Sequence, residues 1–278
     1  MIDAEWYEKS RFILEKYPDE NEPIAMDRSL EALAKAKQQK MPFIFKTNNE
    51  VYIDRSVNIA KEFNLLQSHS DLHFRGEYWI ADSNYADIVK TNIYSVARHP
   101  EFPFLDPHWI KRANGTTEIG PNAVPVPTPE TYDGFVTDIP STISKLGEIL
   151  TGGAKKLFLN PDFLSLISHE FRSSISKDAM VQRVMDFIPS LKPDYFTKKG
   201  TAGIRTPVIS PDGNFISDVM EREGHNSFHI VNYNSPGATG APAYSALIIK
   251  KLQDKGILKK PNSQKNTLWN FDSIIEQI

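Results

Sequence analysis

The chain has 278 residues, a formal net charge of −3, 24% charged and 40% hydrophobic residues, which is typical of a soluble globular protein with one large domain or two small ones. The mildly acidic balance argues against nucleic acid as a partner, and the absence of cysteine excludes disulfides, thiolate metal ligands and a cysteine nucleophile. No apolar run approaches the roughly 20 residues of a transmembrane segment. The acidic N-terminal sequence also lacks the order of a signal peptide, so we expect a cytoplasmic protein.

The first half of the chain predicts a helical segment followed by strands. Residues 1–40 are polar with helical spacing, Met41–Phe45 predicts a short buried strand, and a helix is expected from about Asp54 to Phe63. From Leu72 to Ile80 aromatic and polar residues mix as they do in strands. His108–Arg112 and Thr116–Ile119 flank the dipeptide Asn114-Gly115, which strongly favours a hairpin turn.

The second half of the chain predicts helices and then a second group of strands. The proline-rich residues 122–140 are expected to form a loop, and residues 141–192 return to helical periodicity. The apolar positions expected in the core of these helices are Leu146, Leu150, Leu164, Ile167, Met180, Val184 and Phe187. Strands are expected between Gly203 and Tyr233 with a turn at 211–214, and a last helix from about Thr239 to Lys255 would end at Gly256. Because strands and helices occur in separate blocks, the fold class predicted is α+β.

Four segments of the chain, read in order, resemble one family of flavoproteins. They are Phe74–Tyr78; Phe102–Leu105 with His108 and Gly120–Ala123; Ser174–Lys177 through Ile188-Pro189 to Ala202–Arg205; and Asn232–Thr239. In this order they resemble the L-2-hydroxyglutarate dehydrogenase/oxidase branch of the D-amino-acid-oxidase-like FAD-dependent oxidoreductases. The resemblance implies a mixed or antiparallel substrate-domain sheet with helices, plus an incomplete remnant of an FAD-binding α/β domain. It divides the chain into an N-terminal helical segment (1–40), a partial FAD-domain segment (41–71), the substrate domain (72–225) and a strand–loop–helix that faces the flavin (226–278).

Two departures from the family concern the cofactor. The segment Thr47–Arg55 resembles a loop in which small residues let the backbone approach the flavin, yet Asn49 and Glu50 occupy those positions. None of the 14 glycines has the G-x-G-x-x-G spacing that holds the FAD pyrophosphate at a helix N-terminus. Three interpretations follow: a separate FAD-binding polypeptide supplies that half, or the chain is a truncated, non-catalytic descendant that acts as a binding or interaction protein, or the chain binds FAD alone in a reduced way. We rank the third interpretation last, because no motif in the sequence would hold the pyrophosphate of FAD.

The loop Asn234–Thr239 is the candidate cofactor site. An apolar strand from Phe228 to Val231 runs into Asn234, Ser235, Pro236, Gly237, Ala238 and Thr239 and then into a helix. This arrangement directs unpaired backbone N–H groups and a positive helix end at one point. The resemblance implies that the pyrimidine ring of the flavin lies there, whereas the plainer interpretation is a helix start capped near Thr239.

Arg205 is the first candidate for substrate binding. The resemblance implies that the arginine of the Gly203-Ile204-Arg205 strand binds the carboxylate of a small 2-hydroxyacid substrate, a role that suits the planar guanidinium fork. The alternative is a surface arginine paired with Glu221 or Asp218.

Arg75 and His108 are the other catalytic candidates. Strand alternation places Arg75 and Glu77 on one face, so the two could line a pocket or form a structural ion pair at a sheet edge. His108 could take the hydroxyl proton of the substrate, although a lone histidine in a strand is more commonly hydrogen-bonded or exposed. The remaining histidines show no metal-ligand spacing, so no metal site is predicted.

Overall fold

The computed structural model describes residues 56–96, 98–99, 101–225, 227–233, 240–259 and 274–276, together with the backbone of 43–45, 237–239 and 271–273. The predicted helical segment 1–40 and the loop Thr47–Arg55 lie outside the described residues. The chain divides into two compact units, and the larger one comprises Asn49–Gly224 and His229–Tyr233. In the remainder, the described elements are the strand predicted from Met41 to Phe45 and the C-terminal helices.

The described strands are short and their pairings within the larger unit are antiparallel. Their bounds are β1 Phe43–Phe45, β2 Ser70–Asp71, β3 His73–Gly76, β4 Trp79–Ala81, β5 His108–Lys111, β6 Thr117–Gly120, β7 Val124–Val126, β8 Phe196–Lys199, β9 Gly203–Arg205, β10 Val208–Ile209, β11 Met220–Gly224 and β12 Ser227–Val231. One sheet has the strand order β5-β6-β4-β8 and another the order β7-β3-β9, while β10 pairs with β2.

The helices lie between and after these strands. Their bounds are α1 Ser56–Glu62, α2 Ile139–Thr151, α3 Pro161–Ile175, α4 Lys177–Met185, α5 Gly237–Asp254 and α6 Phe271–Glu276, with 3₁₀ segments at Gly153–Leu159 and Pro193–Tyr195. The α+β class predicted from the sequence is confirmed.

Local sequence explains where several of these elements begin and end. Asn114 and Gly115 form the β5–β6 turn, in which Gly115 has a φ of +85° and Arg112 N donates to Thr116 O at 2.9 Å, so the predicted hairpin is confirmed. The side chain of Asn160 caps α3 by accepting from Asp162 N at 2.9 Å, and a proline occupies the first helical position. Gly256, with a φ of +72°, ends α5 as predicted.

Helices α3 and α4 each contribute to one of the apolar clusters of the larger unit. Helix α3 contributes Phe163 to a cluster that contains Phe74 and Phe104. Helix α4 contributes Met180 and Val184 to a second cluster around Trp109, Ile119 and Phe196. The predicted core positions Met180 and Val184 are fully buried, and Ile167 and Phe187 pack against these clusters.

Three predicted core positions are wrong. Leu146, Leu150 and Leu164 are exposed. In α2 the reason is a polar contact: Lys145 reaches the buried Asp71 carboxylate at 2.5 Å and therefore turns the charged side of the helix inward. Periodicity identified the two sides of α2 correctly but assigned the wrong one to the interior.

The loop predicted for residues 122–140 is wrong in part, because it contains β7. Pro125 lies opposite Phe74 in the pairing of β7 with β3. A proline is tolerated there because β7 is an edge strand, whose outer side needs no N–H donor.

Candidate functional site

A cleft in the larger unit brings together three of the four segments that carry the family resemblance. It has an empty volume of about 530 Å³, which includes space open to solvent, and it is lined by Phe74, Gly76, Tyr78, Phe104, Leu105, Pro121, Asn122, Ala123, Gly203, Ile204 and Arg205. These residues come from positions 74–78, 102–105, 120–123 and 202–205 of the resembling segments. Parts of the chain that are distant in sequence, and that carry the family resemblance, therefore meet in this cleft.

Arg205 is the charged side chain of this cleft. It lies on β9 opposite Phe74 of β3, is partly buried, and its Nη1 donates to Pro103 O at 3.1 Å. Within the part of the chain that the structure describes, Arg205 forms no ion pair, so the alternative of a salt bridge to Glu221 or Asp218 is not observed. A guanidinium has five N–H donors; one carbonyl therefore orients the group and leaves donors for an anion.

The floor of the cleft is apolar and closely packed. The rings of Phe74 and Phe104 lie 4.4 Å apart between centroids, and both are buried. A side chain at Gly76 would place a Cβ 2.8 Å from Pro121 Cβ, which explains the glycine at this position. An apolar floor lowers the local dielectric and strengthens the attraction between Arg205 and a bound anion.

Asn122 closes the back of the cleft through a pair of hydrogen bonds. Its Oδ1 accepts from Glu77 N at 2.7 Å and its Nδ2 donates to Glu77 Oε2 at 2.8 Å. Asn122 is buried, so these bonds satisfy the amide and fix the wall that the Gly120–Ala123 segment forms.

Arg75 lies outside the cleft, in a closed network. Its Nη2 pairs with Glu77 Oε1 at 3.1 Å, and its Nη1 donates to the carbonyls of Thr131 and Gly134. The side chain is buried, and β3 is the middle strand of its sheet. Of the two interpretations of Arg75 and Glu77, the geometry favours the structural ion pair, although in the middle of the sheet and not at its edge. A catalytic role for Arg75 stays a prediction that this placement does not support.

His108 is buried in β5 and is not among the residues that line the cleft. Its Nδ1 lies 3.2 Å from Asp106 O, and its ring stacks on Tyr94 with 4.2 Å between centroids. Burial lowers the pKa of the His108 imidazole below its usual value, so the ring is neutral near pH 7. A neutral ring whose Nδ1–H donates to the carbonyl has an acceptor at Nε2, but His108 does not line the cleft that contains Arg205.

The predicted cofactor loop is only partly within the described residues. Asn234, Ser235 and Pro236 lie outside them, and Gly237, Ala238 and Thr239 are described only as the first residues of α5. The helix begins at Gly237, two residues before the predicted start at about Thr239. The first backbone N–H groups of a helix have no partner within the helix and form its positive end. This backbone suits a group that carries negative charge, such as a reduced flavin.

Sequence reasoning missed the contributions of Tyr78, Leu105 and Asn122 to the cleft. All three occur in the segments that carry the resemblance, and that membership was the available signal. Among the described residues, no group of three or more His, Asp or Glu side chains could hold a metal ion. No helix in the described ranges is long and apolar enough to cross a membrane.

Comparison with known proteins supports the resemblance to this family. No protein-family model matches the chain. The mitochondrial L-2-hydroxyglutarate dehydrogenase of Caenorhabditis elegans is 34% identical over 180 residues, which cover 63% of this chain and 40% of that protein. L-2-hydroxyglutarate dehydrogenase of Escherichia coli K12 is 30% identical over 180 residues, with 65% and 41% covered. The mitochondrial enzyme of Bos taurus is 32% identical over 190 residues, with 66% and 39% covered.

A solved structure of L-α-glycerophosphate oxidase from Mycoplasma pneumoniae with FAD bound is 16% identical, covers 78% of this chain and 45% of that one, and has a TM-score of 0.36. The chain spans about two fifths of the length of the curated relatives it matches. Over that matched region the family resemblance drawn from the sequence segments is confirmed: the chain is similar to the L-2-hydroxyglutarate dehydrogenases.

Proposed function

We propose that this chain forms the substrate-binding side of an FAD-dependent oxidoreductase that oxidises a small 2-hydroxyacid, with 2-hydroxyglutarate as the first candidate. The observation that carries the proposal is Arg205, a partly buried arginine with no ion pair in the described chain, in a cleft where three resembling segments meet. The names of the relatives, which are L-2-hydroxyglutarate dehydrogenases, supply the substrate class.

Arg205 would hold the carboxylate of the substrate. Two parallel N–H···O bonds from a guanidinium to a carboxylate fix both the position and the orientation of the acid. The bond from Nη1 to Pro103 O restricts the rotation of the guanidinium before the substrate arrives. FAD, when bound, would accept the hydride from C2 of the hydroxyacid, and Asn234–Thr239 at the start of α5 are the residues that would contact it.

A separate polypeptide would supply the dinucleotide-binding half of the cofactor site. This part of the proposal is supported by the 14 glycines, none of which has the G-x-G-x-x-G spacing. A second candidate function is a non-catalytic binding protein descended from the same family. Asn49 and Glu50, which replace small residues of the family loop, favour it.

Ligand titration of the purified chain tests the assignment of Arg205. L-2-hydroxyglutarate and 2-oxoglutarate are titrated into the wild type, Arg205→Gln and Arg98→Gln, and binding is followed by calorimetry or ligand-observed NMR. Loss of the charged fork should weaken binding of either acid by at least about tenfold in Arg205→Gln. Arg98→Gln is the matched control, because Arg98 is an exposed arginine paired with Asp186. Equal affinity in wild type and Arg205→Gln would remove Arg205 from the site.

Visible absorption distinguishes the two candidate functions. The spectrum is recorded for the chain alone, after FAD is added, and after FAD and a candidate dinucleotide-binding partner are added together. The enzyme proposal expects a bound-flavin spectrum with the partner, and dye reduction by L-2-hydroxyglutarate whose KM rises in Arg205→Gln. A chain that binds neither the acid nor, with the partner, the flavin would favour the non-catalytic binding protein.

A further inference from the structure

Helix α2 presents its apolar side to solvent. Ile139, Ile143, Leu146 and Leu150 are 67%, 64%, 54% and 70% exposed. The opposite side of the helix carries Lys145, which bonds the buried Asp71 and Glu148 at 2.7 Å. Glu148 also pairs with Lys61 at 3.2 Å. The usual order of an amphipathic helix, with apolar residues inward and charges outward, is thus reversed here by contacts that anchor the charged side.

The spacing of these four residues is that of a helix–helix seam. The residues are spaced by four, three and four positions, which is the heptad spacing of apolar residues that pack against a partner helix. The positions beside the seam, Pro140, Thr142 and Gly147, carry no charge. A Cβ at Gly147 would meet no atom within 4 Å, so the surface is open for a close approach.

The two ends of this helix carry opposite charges. Asp133 and Asp138 are exposed before the first turn, and Lys155 and Lys156 are exposed just after the last turn. A parallel partner of the same kind would bring like charges together. An antiparallel partner would place the acidic end of one helix beside the basic end of the other. The dipoles of the two helices would then point in opposite directions, which is the favourable arrangement.

We propose that the exposed side of α2 pairs with the same side of a second copy of this chain, antiparallel about a two-fold axis. The charges at the two ends of the face are self-complementary, as an interface between identical subunits requires. This inference does not depend on the proposed enzymatic function.

The area required by a stable dimer indicates how far the interface extends. Each partner of a specific interface buries about 800 Å², which is more than four side chains provide. Further exposed apolar residues lie in the chain on either side of the helix: Phe135 and Val136 precede it, and Leu159, which is 78% exposed, follows it. In the antiparallel arrangement Phe135 and Val136 of one copy would lie near Leu159 of the other.

Sedimentation of the full-length chain over a concentration series tests the proposal. The wild type should show a reversible monomer–dimer equilibrium, and Leu146→Glu and Ile143→Glu should weaken it by at least about tenfold in Kd, because each places a charge in the seam. Ser144→Glu is the matched control: it adds the same charge to an exposed position of the same helix outside the seam and should dimerise like the wild type. Circular dichroism confirms that each variant is folded.

Spin labels test the direction of the pair. Because the chain has no cysteine, a label on Ser144→Cys or Thr151→Cys is unique. Along the helix axis, residue 144 is level with the middle of the seam and residue 151 with its end. In an antiparallel pair the two copies of residue 151 are therefore offset by about 20 Å along the axis at a rise of about 1.5 Å per residue. The separation between labels should therefore be distinctly longer at 151 than at 144.

Three results would overturn the proposal. One is a wild type that stays monomeric throughout the series. If that wild type binds lipid vesicles and Leu146→Glu does not, the face binds a lipid surface and not a second copy. Another is a dimer whose Kd is unchanged in both glutamate variants. The third is equal label separations at positions 144 and 151, which a parallel pair would give.

Discussion

The sheet of β7, β3 and β9 carries an arginine on each face, and the two arginines have opposite surroundings. Arg75 is opposite Ile204, and Arg205 is opposite Phe74, so strand alternation directs the two side chains to different faces. Arg75 is buried and bonds Glu77 and two loop carbonyls. Arg205 is partly open and bonds one carbonyl. An arginine that bonds a buried carboxylate and two loop carbonyls holds the fold, whereas one with donors left in a cleft is available to a ligand.

The largest effect that this comparison predicts is on the stability of an Arg75 variant. Arg75→Leu leaves the buried Glu77 carboxylate without its positive partner and removes the donors to Thr131 and Gly134, so we expect the free energy of unfolding to fall by about 3–5 kcal/mol. Arg75→Lys keeps the charge but loses the fork, and it should fall between the wild type and Arg75→Leu. Urea unfolding followed by tryptophan fluorescence measures both. A loss below about 1 kcal/mol in Arg75→Leu would show that the network does not hold the loop.

The buried ion pair of Lys145 and Asp71 should also contribute to stability, and breaking it should lower the free energy of unfolding by somewhat less. Burial alone would raise the pKa of the Asp71 carboxyl, but Lys145 and, more weakly, His73 hold it below its usual value of 3.8. Lys145→Met leaves the buried Asp71 uncompensated, and we expect a loss of about 3 kcal/mol at pH 7. In the wild type, the stability due to the lowered pKa of Asp71 is present above pH 3.8 and is lost as the pH falls below it. In Lys145→Met burial would instead raise the folded-state pKa of Asp71, so the destabilisation seen at pH 7 should lessen as the pH falls.

A matched control for Lys145→Met is Lys250→Met, in which the lysine pairs with Asp254 on an exposed surface. The measurement is urea unfolding at pH values from 3 to 7. The exposed pair should contribute no more than about 0.5 kcal/mol. Similar losses in the two variants would contradict the importance of burial.

The sequence predicted elements with local signals and failed where a distant contact decides the outcome. The β5–β6 hairpin follows from Asn114-Gly115, and the end of α5 follows from Gly256, because both signals act within a few residues. The orientation of α2 depends on Lys145 and Asp71, which are 74 residues apart. No local pattern indicates that a buried carboxylate will draw the charged side of that helix inward.

The candidate site shows the same division. Alternation alone predicts that Arg75 and Glu77 share a face, and the ion pair at 3.1 Å agrees. The loop of Thr131 and Gly134 packs on the face of the sheet that carries Arg75, and only the structure shows this placement. Arg205 could be chosen from the resemblance, but its single bond to Pro103 O, 102 residues away, could not be predicted.

A pH titration probes a third buried group of the larger unit, His229. Burial lowers the pKa of its imidazole from 6.5 to about 4, so the unfolded chain binds the proton more tightly than the folded one. The folded state should therefore be most stable above pH 6.5 and lose up to about 3 kcal/mol as the pH falls from 6.5 to about 4. Urea unfolding at several pH values measures the slope.

His229→Gln removes this titration and should flatten the slope in that pH range. Burial also lowers the pKa of His69 and His108, and their contributions, which have the same sign, remain in the variant. An unchanged slope in His229→Gln would mean that His229 accepts its proton in the folded state.

The smallest predicted change in stability is the most informative about function. Arg205→Leu removes one hydrogen bond to Pro103 O from a partly open side chain, so the free energy of unfolding should change by no more than about 0.5–1 kcal/mol. The same variant should nevertheless lose the binding of carboxylate ligands to the cleft, because its floor and walls offer no other cation among the described residues. Parallel urea unfolding of Arg205→Leu and Arg75→Leu provides the test. If Arg205→Leu were as destabilised as Arg75→Leu, Arg205 would belong to the framework of the sheet, and the contrast between a closed and an open arginine would fail.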